Sequence, residues 1–425
     1  MSMLMGKSRM VITCAKGITP FLKEEVFSLG LPILSEGIAD IETEGTMEDA
    51  IKLNLFLRTG HRVLFLLEEF NAKKPDELYK KMWRINWEDT IPEEGYLCVT
   101  SSVETPTIKD SRFANLKCKD AIVDRIKEKC SCRPDSGPKR DSTVIHLYWK
   151  DERCQIYVDT SGEPLSRRGY RRIPLRAPMQ ETLAAAVILA TGWKGNGNFV
   201  NPMCGSGTLA IEAAMIALNK APGLLRNNYG FMHLKGFNES YWKALRKNAK
   251  GAAKSRLNGR IIATDISQEA IEAAKKNATT AGVTHLIEFG VCGYSETPVP
   301  EDGGIVVLNP EYGERLGEIE ELKEVYKGIG DFFKKRCQGY RGYIFTPHPL
   351  KPCFLGQGYR GASKYLSQSK RRVLTRGAGF TGNFDLAKQV GLKTKRRIPF
   401  FNSNIECRLL EYDLYEGTRK RKAHS

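Results

Sequence analysis

No stretch of this chain is apolar for the roughly 20 residues that a membrane-crossing helix needs. The opening "MSMLMGKSRMVITCAKG" has neither the apolar core nor the small-residue cleavage site of a secretion signal, so the chain is expected in the cytoplasm. Cysteine is not patterned as a disulfide framework: eleven residues, odd in number and scattered, fit a reducing compartment. Cys130 and Cys132 are the one close pair, and without a second pair or a nearby histidine they make a poor zinc site. Histidine is scarce and dispersed (His61, His146, His233, His285, His348, His424), so no metal is expected. The sequence also lacks a Gly-x-Ser-x-Gly elbow and a Walker A loop, which removes nucleophilic-serine hydrolysis and P-loop phosphate chemistry.

Negative charge is in deficit. Against 66 Lys and Arg stand 49 Asp and Glu, a net +17. The excess is uneven, −4 over the first hundred residues and +10 over residues 301–425. Clusters occur at Arg167-Arg168 with Arg171-Arg172, Lys370-Arg371-Arg372, Lys393 with Lys395-Arg396-Arg397, and Arg419–Lys422. One such cluster can be solvated surface. Four downstream of an acidic start favour a polyanion, because each neutralised phosphate releases counterions.

At 425 residues the chain is too long for one ordinary core. Residues 10–70 read as a small α+β unit, in which "RMVITCAKG", "DIETEG" and "HRVLFLLEEF" are strands separated by "TPFLKEEVFSLG" and "TMEDAIKLNLFLRTG" as helices. Over 71–160, "YLCVTSSV" is a strand, "SRFANLKCKDAIVDRIKEKC" a helix, and "STVIHLYWKDERCQIYVDTSG" two strands around a charged turn. "PLSRRGYRRIPLRAP" reads as a linker. From Met179 strands and helices alternate, the pattern of an α/β domain with a doubly wound, mainly parallel sheet.

In that domain "NPMCGSGT" puts Gly205-Ser206-Gly207 between a strand and a helix, where glycine lets a ligand press against backbone N–H groups. A plain strand-to-helix turn would read the same way. Asp265 ends the next strand, "RIIATD", where a carboxylate can accept from both ribose hydroxyls of an adenosine; it could equally cap the helix "SQEAIEAAKK". An adenosine-carrying ligand without a phosphate grip points to S-adenosylmethionine over NAD or ATP.

Further on, "VLNPEYGERLG" delivers a strand to Asn309-Pro310-Glu311-Tyr312. An aryl amine is a poor nucleophile because its lone pair is delocalised into the ring. The Asn309 side-chain oxygen and the Pro310 carbonyl can accept its hydrogens, and Tyr312 offers a face on which an extruded base can stack. Glu311 stands where a second proline would stiffen the loop, but it keeps the main-chain carbonyl.

Over nearly its full length the chain resembles the bacterial 23S rRNA guanine-N2-methyltransferases, class I enzymes that carry an RNA-binding THUMP domain. The matching residues are "SRFANLKCKDAIVD", "LSRRGYR", "APMQETLAAAV", "NPMCGSGTLAIEAAMIA", "APGL" and "NPEYGERLG". The resemblance implies a ferredoxin-like α+β domain at 1–70, a THUMP domain at 71–162, a linker at 163–178, a class I Rossmann-like methyltransferase domain at 179–417 and a basic tail at 418–425. With the chain ending at Ser425, the second methyltransferase domain that some relatives carry is expected to be missing.

By position, Asn201, Cys204, Gly205, Ser206, Gly207, Thr208 and Asp265 would hold S-adenosyl-L-methionine. Asn309, Pro310 and Tyr312 would hold the target base, and Arg112, Lys117, Arg167, Arg168 and Arg171 would contact RNA. The RNA is expected to be 23S rRNA or a ribosomal assembly intermediate, with tRNA guanine as the alternative substrate. A weakened enzyme that serves as an RNA-binding assembly protein is a third reading. Three departures motivate it: Asn201 where aspartate is commoner, Gly293 where an acidic residue often meets the adenine amine, and Glu311.

Overall fold

Alternation of apolar and polar side chains in β1 (Ser8–Thr13) buries Met10 and Ile12 and sets the face on which the first half of the chain is built. A computed structural model describes Leu4 and residues 6–106, 108, 110–173, 179–310, 318–347, 386–403 and 405–415. After β1 come α1 (Thr19–Ser28), β2 (Ser35–Glu36), β3 (Asp40–Gly45), α2 (Met47–Phe56) and β4 (Arg62–Asn71). Helix α2 starts on a reciprocal cap, Thr46 accepting from the Asp49 N–H and Asp49 from the Thr46 N–H. Next are α3 (Pro75–Arg84), β5 (Tyr96–Glu104), α4 (Ser111–Cys130), β6 (Asp135–Ser136), β7 (Thr143–Lys150) and β8 (Arg153–Asp159). Helix α3, not anticipated above, has proline in its first turn with Asp76 and Glu77, and Lys81 and Arg84 in its last.

The two N-terminal units share one eight-stranded sheet, ordered β2-β3-β1-β4-β8-β7-β5-β6. The seam is the antiparallel pair β4–β8, running from Leu64↔Asp159 to Asn71↔Arg153. Two sheet edges that would otherwise be open are thereby closed against each other.

The second half comprises α5 (Glu181–Ala190), β9 (Asn198–Pro202), α6 (Thr208–Ala217), α7 (Glu239–Gly251), β10 (Ile261–Asp265), α8 (Gln268–Ala281), β11 (Ile287–Val291), β12 (Gly304–Leu308), α9 (Glu318–Arg336), β13 (Tyr340–Pro347), β14 (Arg396–Asn402) and β15 (Ile405–Asp413). Its sheet runs β11-β10-β9-β12-β13-β15-β14, parallel through β13, with β15 and β14 antiparallel. All five residues of β9 are buried, as a central strand covered on both faces requires. Helices α5 and α6 are apolar all round and almost wholly buried. The chain passes from β9 to β10 on one side and later to β12 on the other. This reversal opens a crevice at the strands' carboxyl ends, where ligands of such sheets bind.

The described part of the segment read as a linker, residues 163–173, is packed. Leu165, Arg168 and Tyr170 are buried, so residues 163–173 form a strap between the two halves. The insert after α6 also joins them: the Phe231 N–H donates to Thr160 O (3.0 Å), the Lys235 N–H to Thr90 O (2.9 Å), and Thr143 Oγ1 to His233 O (3.1 Å). Its aromatics Tyr229, Phe231 and Trp242 are buried against one another, ring centroids 5.1–5.5 Å apart. Among the described residues no helix is long and apolar enough to cross a membrane.

Candidate active site

Three strand ends meet at the crevice. β9 runs into the glycine loop, β10 ends on Asp265, and β12 ends one residue before Asn309. The loop is fastened at every residue. Cys204 N–H donates to Thr264 O (2.9 Å), Gly205 N–H to Asp265 Oδ2 (2.9 Å), and Gly207 N–H to Cys204 O (2.9 Å). Gly205 (φ 53°) and Gly207 (φ 80°) are left-handed. A Cβ on Gly207 would lie 2.9 Å from the Ala274 Cβ, so α8 needs glycine there. A Cβ on Gly205 would meet nothing within 4 Å; that side of the loop faces open space.

The helix cap is Ser267, whose side chain accepts from the Ala270 N–H (3.2 Å). Asp265 is thereby released from the capping role and takes the Ser267 N–H on Oδ1 (3.0 Å). A carboxylate has about four acceptor sites, so two remain for a ligand. Two apolar side chains that sequence reasoning passed over flank it: Ile266 is 80 % exposed and Val291, at the end of β11, 48 %. Their signal was position alone, one residue beyond Asp265 and at the next strand end. Exposed aliphatic side chains beside an acceptor carboxylate suit the flat face of a nucleobase.

Asn201 is buried beneath the loop and links β9 to β12, its Nδ2 donating to Val307 O (2.8 Å). The last registered backbone pair of these strands is Val200–Val306, so the side chain extends their connection toward Asn309. An aspartate could accept but not donate here, which gives the amide a structural reason. Asn201 Oδ1 is buried with no hydrogen-bond partner among the described residues. Cys204 and Thr208 are buried too, and burial pushes the Cys204 thiol far above its usual range. Asn309 is half-buried and Pro310 buried; Glu311 and Tyr312 lie outside the described residues.

The expected RNA contacts divide. Arg112 (side chain 86 % exposed, paired with Asp110) and Arg167 (paired with Glu163, 2.6 Å) lie on the surface. Lys117 reaches Asp76 at 3.3 Å and lies 5.8 Å over the ring of the exposed Phe113. Arg168 and Arg171 are corrections. The Arg168 side chain is only 2 % exposed, donating Nε to Glu212 Oε1 (2.7 Å) and Nη2 to Arg58 O (2.6 Å). Arg171 Nη2 donates to Met179 O (2.6 Å) and Thr208 Oγ1 (3.2 Å). The buried Arg168 guanidinium serves the junction, since a buried charge holds its carboxylate in preference to a phosphate outside, and the half-buried Arg171 spends its Nη2 on the same junction. In the 393–397 cluster, Lys395 pairs with Asp413 (2.9 Å) and Arg396 with Glu411. The clusters at 370–372 and 419–422 lie outside the described residues. Among the described residues no three His, Cys, Asp or Glu side chains gather as metal ligands.

Three family models match in succession: an RlmL ferredoxin-like domain over residues 9–64, a THUMP domain over 72–159, and an RMKL-like methyltransferase domain over 168–355. The ribosomal RNA large subunit methyltransferase K/L of Syntrophotalea carbinolica is 34% identical over 414 residues, 95% of this chain and 53% of that protein. Its counterpart in Psychromonas ingrahamii is 35% identical over 408 residues, 94% of this chain and 49% of that protein. The chain thus spans about half the length of these curated relatives. A Listeria monocytogenes structure named for N6-adenine-specific DNA methylation superposes with a TM-score of 0.77 at 28% identity, covering 96% of each chain.

Proposed function

The chain belongs to the THUMP-domain RNA methyltransferases related to the K/L family, its methyltransferase domain has an S-adenosylmethionine-binding fold, and from that premise we propose that it methylates the exocyclic N2 amine of a guanine in 23S rRNA. The observation that carries this reading is the convergence at one crevice of a glycine loop with an open face, an acceptor carboxylate and an Asn-Pro turn.

The residues present fit the donor. Gly205 leaves room for it, Asp265 keeps acceptor sites for its ribose, and Ile266 and Val291 offer apolar faces for its adenine. Asn201 Oδ1 is a buried acceptor that no described residue uses. Thr208 and Cys204 shape the loop from within. S-adenosylmethionine supplies an electrophilic methyl group. The chain's part is to hold the amine: Asn309 Oδ1 and the Pro310 carbonyl accept its two hydrogens, raising lone-pair density on nitrogen; the methyl group would pass from the donor's sulfur to nitrogen, leaving S-adenosylhomocysteine, and one amine proton would pass to solvent. Tyr312 stacks the extruded base. Most of the catalysis is positioning.

RNA is gripped through phosphate and shape by the THUMP half, with Arg112 exposed there, Lys117 half-buried beside Phe113, and Arg167 exposed on the strap that follows. That half also favours RNA over the DNA named for the Listeria relative.

Parallel methyl transfer from labelled S-adenosylmethionine to unmodified 23S rRNA and bulk tRNA, with nucleoside digestion and mass spectrometry, tests the proposal. N2-methylguanosine from rRNA is expected. Label in tRNA alone would move the substrate, N6-methyladenosine would change the base, and no label in either would leave an RNA-binding protein without the chemistry. Asp265→Ala removes the ribose acceptor and the anchor of the Gly205 N–H together. Hydrogen bonds to charged groups contribute about 1.5–3 kcal/mol, so calorimetry should find S-adenosylhomocysteine bound at least about tenfold more weakly. RNA affinity should stay within about twofold. Unchanged donor affinity would remove Asp265 from the site.

A further inference from the structure

Behind the glycine loop one helical face carries two contacts. Ala274 packs under Gly207, and Asn277, three residues on along α8, lies under Ser206. Asn277 is buried. Its Nδ2 donates to Ser206 O (3.1 Å) and to Ile173 O (3.4 Å), while Oδ1 accepts from the N–H groups of Arg172 (2.9 Å) and Ile173 (3.3 Å). Two N–H groups face one end of the amide and two carbonyls the other, so a single orientation satisfies all four.

Arg172 and Ile173 are the end of the strap that leaves the THUMP half. Arg171 beside them donates to Thr208 Oγ1, at the first turn of α6. The backbone of the glycine loop is therefore held to the interdomain strap through one side chain. Without its bond to Ser206 O, the peptide between Ser206 and Gly207 keeps the Gly207 N–H bond to Cys204 O but loses its tie to α8 and the strap, so its tilt is set from one side instead of two.

We infer that Asn277 is a positioning residue of the donor site: by tying the Ser206 carbonyl to the strap it presets the loop for S-adenosylmethionine, so that donor affinity depends on the strap. This rests on the donor-site reading above. It adds a residue that touches no substrate and acts through the loop. By thermodynamic linkage, an RNA contact that shifts the strap would change donor affinity, and the donor would change RNA affinity by the same factor.

Asn277→Asp separates the two sides of the amide. Its oxygens still accept from Arg172 and Ile173, but it has no donor for Ser206 O and turns a second acceptor toward it. Asn277→Ala loses both sides. Calorimetry with S-adenosylhomocysteine, filter binding of a 23S rRNA transcript and thermal melting are compared with the wild-type full chain. For Asn277→Asp the expected result is a Kd for S-adenosylhomocysteine raised about tenfold, a similar rise in donor KM, kcat at saturating donor within about threefold, and RNA affinity within about twofold. A purely structural role would lower the melting temperature while the folded protein kept the wild-type Kd, and that outcome overturns the inference. If Asn277→Ala does not fold, Asn277→Asp carries the test, since it keeps the strap's acceptor. Absence of S-adenosylhomocysteine binding by the wild type would overturn the donor-site reading and this inference with it. Wild-type binding with an unchanged Asn277→Asp Kd would overturn the inference alone.

Discussion

Asn309→Ala should lower methyl transfer to 23S rRNA by about a thousandfold while S-adenosylhomocysteine and RNA still bind within about twofold of the wild type. Removing one preorganised hydrogen-bonding group from a reacting centre costs about 10²–10³ in kcat. On the proposed reading the loss is compounded, because the same oxygen would both orient the amine and build its lone pair. Binding should survive because Asn309 follows β12, across the crevice from the donor carboxylate and in the other half of the chain from Arg112 and Lys117. The deficit should therefore stay in kcat with saturating donor and RNA. Asn309→Asp keeps an acceptor oxygen in place and should retain more activity than Asn309→Ala. Equal turnover by Asn309→Ala and the wild type would remove the Asn-Pro turn from the chemistry, whatever the donor site does.

The parts of this site that the sequence makes legible are those lying at strand ends. Gly205, Asp265 and Asn309 each follow a short apolar run, and in a doubly wound sheet the carboxyl ends of neighbouring strands share one crevice. What binds that crevice from behind was not legible. Asn277 sits inside a helix with no local sign that its amide faces two strands of chain more than 70 residues away. The arginines of "LSRRGYR" read as surface, yet the partner of Arg168 is a glutamate within the apolar helix α6. Charge clustering reports composition, and only tertiary pairing decides which side chain turns inward.

The fold shows the same division. Alternation marked β4 and β8 as strands, but periodicity does not name a partner, so the pair that fuses the two N-terminal units was hidden. Strand β14 is hard to read from sequence because "RRIPFFN" begins with charge and contains proline. Pro399 is tolerated there because β14 is the sheet's edge.

The buried Arg168–Glu212 pair supplies the second large effect, on stability. Burial pushes the Arg168 guanidinium down, but Glu212 and Tyr170 outweigh it and the net direction is upward: the charge is held. Glu212 Oε1 takes the Arg168 Nε and the Tyr170 hydroxyl (3.1 Å), and its Oε2 is buried without a partner among the described residues. Around the pair, His61 Nε2 meets Thr182 Oγ1 at 2.8 Å, and burial pushes its pKa down to about 4, so it is neutral near pH 7. The charge balance of this pocket therefore rests on the arginines, Arg168 with the buried Arg58 beside it, and on Glu212 and Glu25 that face them. Arg168→Met keeps much of the volume and leaves Glu212 buried with one hydroxyl donor. Breaking such a pair costs about 3–5 kcal/mol, whereas replacing both partners by apolar groups is often neutral. Arg168→Met and Glu212→Leu should each move the denaturant midpoint down substantially, and the double variant should recover most of that loss. Additive losses in the double variant would mean that the two side chains act independently, with the strap held by its backbone alone.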